Sequence, residues 1–219
     1  MGSPTPRFCG QCGSPLVERL IESEQRTRLV CSQCGDIAYR SPHVVVTTIV
    51  AQGSRVLLCH RATAPAAGTW GLPGGFLECA ETLEEGAARE TWEETGVRLD
   101  PNTLRLHALS TLPDLDEVYV GFLVQLSEAD EVRLVCGAEH TEVRFFEEAE
   151  VPWTSIAYPE VGAYLQLYFR ERVDNDFGIH FARLNSQGSY RKSHRVSAIE
   201  ETHVLRDAYF GAASAKRPR

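Results

Sequence analysis

The stretch from Trp70 to Val97 constrains this chain more than any other. It opens with Trp70-Gly71-Leu72-Pro73-Gly74-Gly75 and runs into CAETLEEGAARETWEETG, which has no proline, many helix formers and a closing Gly96. That composition predicts a helix over 80–95 that stops at the glycine. In such a helix Glu90, Glu93 and Glu94 stand at i, i+3 and i+4, so their carboxylates leave from one side. Like charges at this spacing destabilise an isolated helix by a few tenths, about 0.2–0.5 kcal/mol per pair, and a hard divalent cation with oxygen ligands would compensate. Three glutamates alone read as a solvated face. The glycines ahead of them change that reading, because consecutive glycines let main-chain carbonyls approach a metal or phosphate without Cβ obstruction. Gly86 and Ala87 fall on the same side one turn earlier, where small side chains leave room for a ligand. Arg89 reaches Glu93 at i+4 and Glu85 at i−4, which gives it an orienting role.

A second pattern lies near the start. Cys9-x2-Cys12, 18 residues, then Cys31-x2-Cys34 is the spacing of a four-thiolate zinc site, two knuckles closing a tetrahedron of soft ligands. Gly13 and Gly35 each follow a knuckle's second cysteine, where a left-handed backbone turns amides toward the sulfurs. Residues 16–30 between the knuckles form a hairpin in this reading. With four ligands and no open position, the zinc is structural. Two disulfides would need an oxidising compartment, which nothing else in the sequence supports. Cys59, Cys79 and Cys136 stand apart, with no recurring spacing.

The character of the chain changes at Ser41-Pro42, and we divide it into a zinc ribbon over 1–40, a main domain over 43–173 and a C-terminal extension and tail over 174–219. Val44 to Val50 is a β-branched run expected as a buried strand, and with residues 55–60 it makes a hairpin about Gln52-Gly53-Ser54. Residues 62–75 are expected as loop. Further strands are expected at 104–112, 118–126 and 143–146, and an amphipathic helix at 158–172. The tail holds only short apolar pieces, 178–184 and 196–199, and reads as an edge extension that frays. Strands surrounding two helices predict a mixed α/β sandwich.

The formal charge of −8, from 22 basic and 30 acidic residues, argues against a general nucleic-acid binder, which needs a basic footprint. No run approaches the roughly 18–20 apolar residues of a membrane span, and the first residues lack a signal peptide's apolar stretch, so the expected location is the cytoplasm.

Gly75, five residues, Glu81, seven residues and then Arg89-Glu90-Thr91-Trp92-Glu93-Glu94-Thr95-Gly96-Val97 resembles the signature box of the Nudix hydrolases. Thr91 departs from the pattern, standing where the family has an aliphatic residue, at a position that packs and does not carry chemistry. The resemblance implies a loop–helix–loop in an α/β/α sandwich with a mixed sheet. It also implies a catalytic Mg²⁺ or Mn²⁺ held by Glu90, Glu93, Glu94 and the carbonyl of Gly74 or Gly75. Such a cation offsets the repulsion between phosphates and an incoming hydroxide. Family enzymes recruit a further glutamate before a late strand, and Glu139 and Glu142 both stand in that context. Arg61, after the strand over 56–58, is a candidate for contact with the diphosphate.

A ribbon joined to such a domain is similar to two groups, the NADH pyrophosphatases and the plant-plastid and bacterial FAD or ADP-ribose diphosphatases. The first carry a Ser-Gln-Pro-Trp-Pro-Phe-Pro-x-Ser motif, which Val151-Pro152-Trp153-Thr154-Ser155 does not reproduce. ADP-ribose-cleaving members have a proline about sixteen residues beyond the box, the place of Pro113. Resemblance to the second group runs through CGxIAYxxP, VLLCxR, WxLPxG, ARETWEE and Ser155-Ile156-Ala157-Tyr158. It implies hydrolysis of FAD, ADP-ribose or a related dinucleotide to AMP and a second monophosphate, with Tyr119 and Phe145 as candidates for gripping the substrate and a homodimer as the assembly. The alternatives are an NADH pyrophosphatase and a regulator that senses a nucleotide and binds through its ribbon. Such regulators lose box glutamates, which are all present here. Arg191, Lys192, Arg195, Lys216, Arg217 and Arg219 are the basic residues that the regulator reading would use.

Overall fold

The computed structural model describes residues 5–183 and the backbone of 193–196. Strands β1 (Leu16–Ile21), β2 (Arg26–Cys31) and β3 (Ile37–Ala38) form a small antiparallel sheet, with Leu16 opposite Cys31 and Leu29 opposite Ala38. The hairpin expected between the cysteine pairs is therefore present.

The main sheet holds β4 (His43–Gln52), β5 (Arg55–Arg61), β6 (Trp70–Gly71), β7 (Gly74–Phe76), β8 (Arg105–Leu112), β9 (Glu117–Leu126), β10 (His140–Phe146), β11 (Ile179–Arg183) and β12 (Ser193–Val196). Its order is β10-β5-β4-β9-β8-β11-β12, with β6 on β5 and β7 on β4. β4 runs parallel to β9 and β11 parallel to β8, while the other pairs are antiparallel, so the sheet is mixed.

The expected β4–β5 hairpin pairs only at its tip, Ala51 with Val56 and Gln52 with Arg55. Beyond that the two strands splay, and the segment expected as loop fills the opening with β6 and β7. These strands of two and three residues carry no alternation of their own; the backbone groups exposed by the splayed strands recruit them. The acidic helix follows β7 out of this opening.

Helix α1 is Leu83–Thr95 and α2 is Pro159–Glu171. Thr82 caps α1: its hydroxyl accepts from Glu85 N–H while the Glu85 carboxylate accepts from Thr82 N–H, and Gly96 closes the helix with φ 74°. Pro159, at the first helical position of α2, has no amide to leave unsatisfied. Each helix covers one face. Ala87 and Ala88 of α1 pack on Val46, Val50, Leu57, Val120 and Phe122, and Tyr164, Leu165, Tyr168 and Phe169 of α2 pack on Ile49, Leu58 and Leu123. Because β4 is covered on both sides, it is largely apolar rather than alternating. The result is the expected α/β/α sandwich. The tail's first piece forms β11, and β12 from the stretch after it completes the sheet edge, whereas residues 197–199 of the second piece and the basic side chains at 191, 192, 195, 216, 217 and 219 lie outside the described residues.

Candidate functional site

The box glutamates converge where β7 meets α1. Glu94 is 8% exposed, and its Oε2 accepts the Gly74 N–H at 2.9 Å. Burial pushes its pKa up to about 8; the Gly74 amide and Arg61 oppose the rise, and the charges of Glu90 and Glu139 add to it. Burial also raises Glu90, against the pull of Arg89. Glu93 stays half exposed. A Cβ built on Gly75 would lie 2.7 Å from the Glu90 carboxylate, and one on Gly74 would lie 2.3 Å from the Val46 carbonyl oxygen. The two glycines therefore do different things: Gly74 lets β7 lie against β4, and Gly75 leaves the carboxylate its place.

Arg89 sits within this group, and its expected pair with Glu93 forms, joined by Glu81 and Glu90. Its Nε and Nη2 fork onto Glu81 at 3.0 and 2.7 Å, Nη1 donates to Glu90 at 2.7 Å and to Glu93 at 3.2 Å, and Nη2 also reaches the Phe76 carbonyl at 3.1 Å. The expected pair with Glu85 does not form, because that carboxylate is taken by the Thr82 cap. Glu81 precedes the helix and folds back beside it, held by the Glu78 N–H at 2.6 Å; Arg89 keeps its pKa below the usual carboxylate range. The space expected beside Gly86 and Ala87 is not open to a ligand. A Cβ on Gly86 would meet Glu81 and Leu77 at 2.8 Å, and Ala87 is core. Thr91 is fully buried, with its hydroxyl donated to the Ala87 carbonyl at 2.7 Å, so its polar atom is satisfied.

Glu139 and Glu142 separate. The charge of Glu139 bears on Glu90, Glu94 and His140, whereas Glu142 pairs with Arg144 at 3.3 Å. His140, which the sequence reading passed over, lies between them in the chain with Nε2 3.7 Å from Glu94 Oε1; burial and the neighbouring Arg61 lower its pKa. The thiol of Cys59 is within 4.8 Å of both donors. No local pattern signals this grouping, since only the long-range pairing of β10 with β5 sets His140 opposite Arg61. Arg61 is half buried, its Nε meets no partner, and its guanidinium lies 5.7 Å from the Tyr158 ring centroid.

The other expected substrate contacts lie elsewhere. Pro113 is exposed in the turn after β8. Tyr119 has its pKa raised by burial and by the charges of Glu160 and Glu117, which places it by the first turn of α2 rather than by the box. Phe145 packs into the α1-side core with Arg55 5.5 Å from its ring centroid. Sheet alternation explains both, since each side chain follows the face its strand register dictates.

In the ribbon, Gly13 and Gly35 have φ of 73° and 76°. Sγ separations are 3.8 Å for Cys9–Cys34, 3.4 Å for Cys12–Cys31 and 3.6 Å for Cys12–Cys34. A tetrahedron with Zn–S of ~2.3 Å has edges of ~3.8 Å, so the four thiols fit zinc. The amides of Gln11, Gln33 and Cys34 point at sulfurs from 3.3 to 3.4 Å. The amides of Cys34 and Gln33 and the Cys12 and Cys34 thiols bring Cys31 down to about 6 against a smaller opposing effect of burial, favouring the thiolate that binds metal.

Comparison with known proteins agrees with this arrangement. Residues 40–165 match the NUDIX domain family and residues 7–40 match the zinc ribbon described as Nudix N-terminal. The chain is 33% identical over 124 residues to the NAD-capped RNA hydrolase NudC of Chromobacterium violaceum, covering 57% of this chain but 44% of that protein. It is 36% identical over 115 residues to the ADP-ribose pyrophosphatase of Methanocaldococcus jannaschii, covering 52% of this chain and 67% of that one. The crystal structure of a NUDIX hydrolase from Nitrosomonas europaea superposes with a TM-score of 0.77 at 39% identity, over 82% of this chain and 99% of that one. Among the described residues no helix is long and apolar enough to cross a membrane. The chain therefore belongs to the Nudix hydrolase family and carries that family's N-terminal ribbon.

Proposed function

We propose that this enzyme hydrolyses the diphosphate of an ADP-containing dinucleotide or ADP-sugar, of the ADP-ribose or FAD kind, to AMP and a second monophosphate. The observation that carries this is the meeting of Glu90, Glu93 and Glu94 with the Gly74-Gly75 strand, two of the carboxylates desolvated and raised by burial. A group of buried like charges with hard oxygen donors fits Mg²⁺ or Mn²⁺, and Glu90, Glu93, Glu94 and a carbonyl of Gly74 or Gly75 would hold it. Such a cation, when bound, neutralises phosphoryl oxygens and activates water as a Lewis acid.

The chain's own residues do the rest. Arg89 fixes Glu81, Glu90 and Glu93 through one guanidinium, so the carboxylates are set before the substrate arrives. Glu94, buried and beside His140, serves in this reading as a ligand whose cost of burial the cation offsets. In this reading Glu139 rather than Glu142 joins the site, supported by its charge bearing on Glu90 and Glu94. In this reading Arg61 meets the diphosphate, supported by its buried Nε without a hydrogen-bond partner. In the ribbon the metal is zinc and structural.

The named activity of the Methanocaldococcus relative supports ADP-ribose. The NudC relative favours a second reading, an NADH- or NAD-cap-type substrate; against it stands the Val151–Ser155 segment, where Trp153 is engaged by the Glu148 carbonyl at 3.3 Å. We include in the proposal a homodimer in the cytoplasm, the reducing compartment that four zinc thiolates need. The test is AMP release from ADP-ribose, FAD, NADH and diadenosine polyphosphates with Mg²⁺ or Mn²⁺. Glu94→Gln should abolish turnover with the fold intact; full activity in that variant would overturn the reading.

A further inference from the structure

On the α2 side of the sheet, apart from the box, three elements bring together His107 of β8, Glu171 at the end of α2 and His180 of β11. His180 Nε2 is 2.8 Å from Glu171 Oε1, His107 Nδ1 is 4.0 Å from Glu171 Oε2, and one donor atom from each residue lies within 4.8 Å of the other two. All three side chains are less than a tenth exposed.

The pair of His180 and Glu171 is explained as a hydrogen bond. His107 is not. It is 1% exposed; the backbone of Gly178 and of Tyr164 lies against its ring, but neither ring nitrogen makes a hydrogen bond of normal geometry, as most buried polar groups do. The sheet also gives up regularity to put this ring here: the β8–β9 register shifts between Leu106 and Ala108, and such a bulge re-aims one side chain. Glu171 adds an independent sign. As the last residue of α2, its carboxylate stands at the negative end of the helix dipole, where a cation is favoured and an anion is not.

From this geometry we propose that His107, Glu171 and His180 form a second transition-metal site, of zinc class, that ties β11 to the end of α2. Two imidazoles and a carboxylate suit zinc better than Mg²⁺ or Ca²⁺, which prefer oxygen throughout. Zinc with N and O ligands at ~2.0–2.1 Å sets neighbouring donors ~3.3 Å apart, which the present separations bracket, so small side-chain rotations suffice.

The test uses the full chain, loaded with Zn²⁺ and dialysed in excess Mg²⁺ so that the box carboxylates do not retain zinc. Elemental analysis should give two zinc ions per chain, falling to one in His107→Gln and in His180→Gln. One zinc in the wild type, or two in both variants, overturns the proposal. Wild-type crystals give a readout that does not depend on how the variants fold. Anomalous density at the zinc edge should appear among the three side chains as well as among the four cysteines, and density at the cysteines alone overturns the site.

Discussion

Adding one methyl group at each of two adjacent glycines should give opposite outcomes. In Gly75→Ala the new Cβ meets the Glu90 carboxylate at 2.7 Å, the far end of a flexible side chain. Ordinary contact begins near 3.4 Å, so the carboxylate has to retreat by about 0.7 Å or more, while the backbone keeps its place. The fold should tolerate this, with stability changing by less than about 1 kcal/mol, since the far end of a flexible side chain can rotate away without moving backbone. Catalytic geometry should not tolerate it. Misplacement of about 1 Å costs on the order of 100-fold, and Arg89 transmits the movement because its Nη1 bridges Glu90 and Glu93. In Gly74→Ala the Cβ meets the Val46 carbonyl oxygen at 2.3 Å and Thr47 Cα at 2.7 Å, and backbone cannot rotate away. Here overpacking should remove about 1–3 kcal/mol of stability. Urea unfolding paired with kcat and Mg²⁺ titration separates the two. A Gly75→Ala enzyme with wild-type turnover and Mg²⁺ dependence would refute the claim that Glu90 needs the space Gly75 leaves.

The remaining expectations are brief. Glu139→Gln should lower kcat by about 100-fold or more, as loss of a proton-transfer or ligating carboxylate does, and Glu142→Gln should leave it unchanged; equal effects would contradict the separation seen here. Cys12→Ser should release the ribbon zinc and unfold residues 7–40 while the sandwich persists, read by zinc content and by limited proteolysis. Glu160 is 2% exposed, and burial raises its pKa above the usual carboxylate range. The folded state therefore binds more protons than the unfolded one between the ordinary value near 4.5 and the raised one, so its contribution is lost as pH rises through that window. Glu160→Gln should flatten this slope and stabilise the protein at pH 7, which thermal melts at several pH values will show.

The parts legible in the sequence are those whose cause is local. Gly96 ends α1 because a left-handed residue is needed there, and the three glutamates share a side because of helical geometry alone. The Thr82–Glu85 capping box is equally local, and because the Thr82 amide has the stronger claim on the Glu85 carboxylate, Arg89 does not pair with it. What could not be read is set by pairing over long separations. β6 and β7 exist because β4 and β5 splay and leave donors and acceptors unmet, and His140 faces Glu94 because β10 adds to the far edge of β5.

The same distinction bears on where the chemistry is secured. Arg89 takes its strongest fork from Glu81, eight residues back and outside the helix, so the carboxylates are oriented by the loop's return and not by the helix surface. Replacing Arg89 by Lys keeps the charge but loses the fork. A point charge can satisfy Glu81 or Glu90 but cannot hold both and Glu93 at once. The variant should fold and bind substrate with little change in KM, while kcat falls by roughly 10–100-fold, as positioning without loss of charge implies. If KM rose and kcat stayed level, Arg89 would be contacting substrate instead of setting the carboxylates.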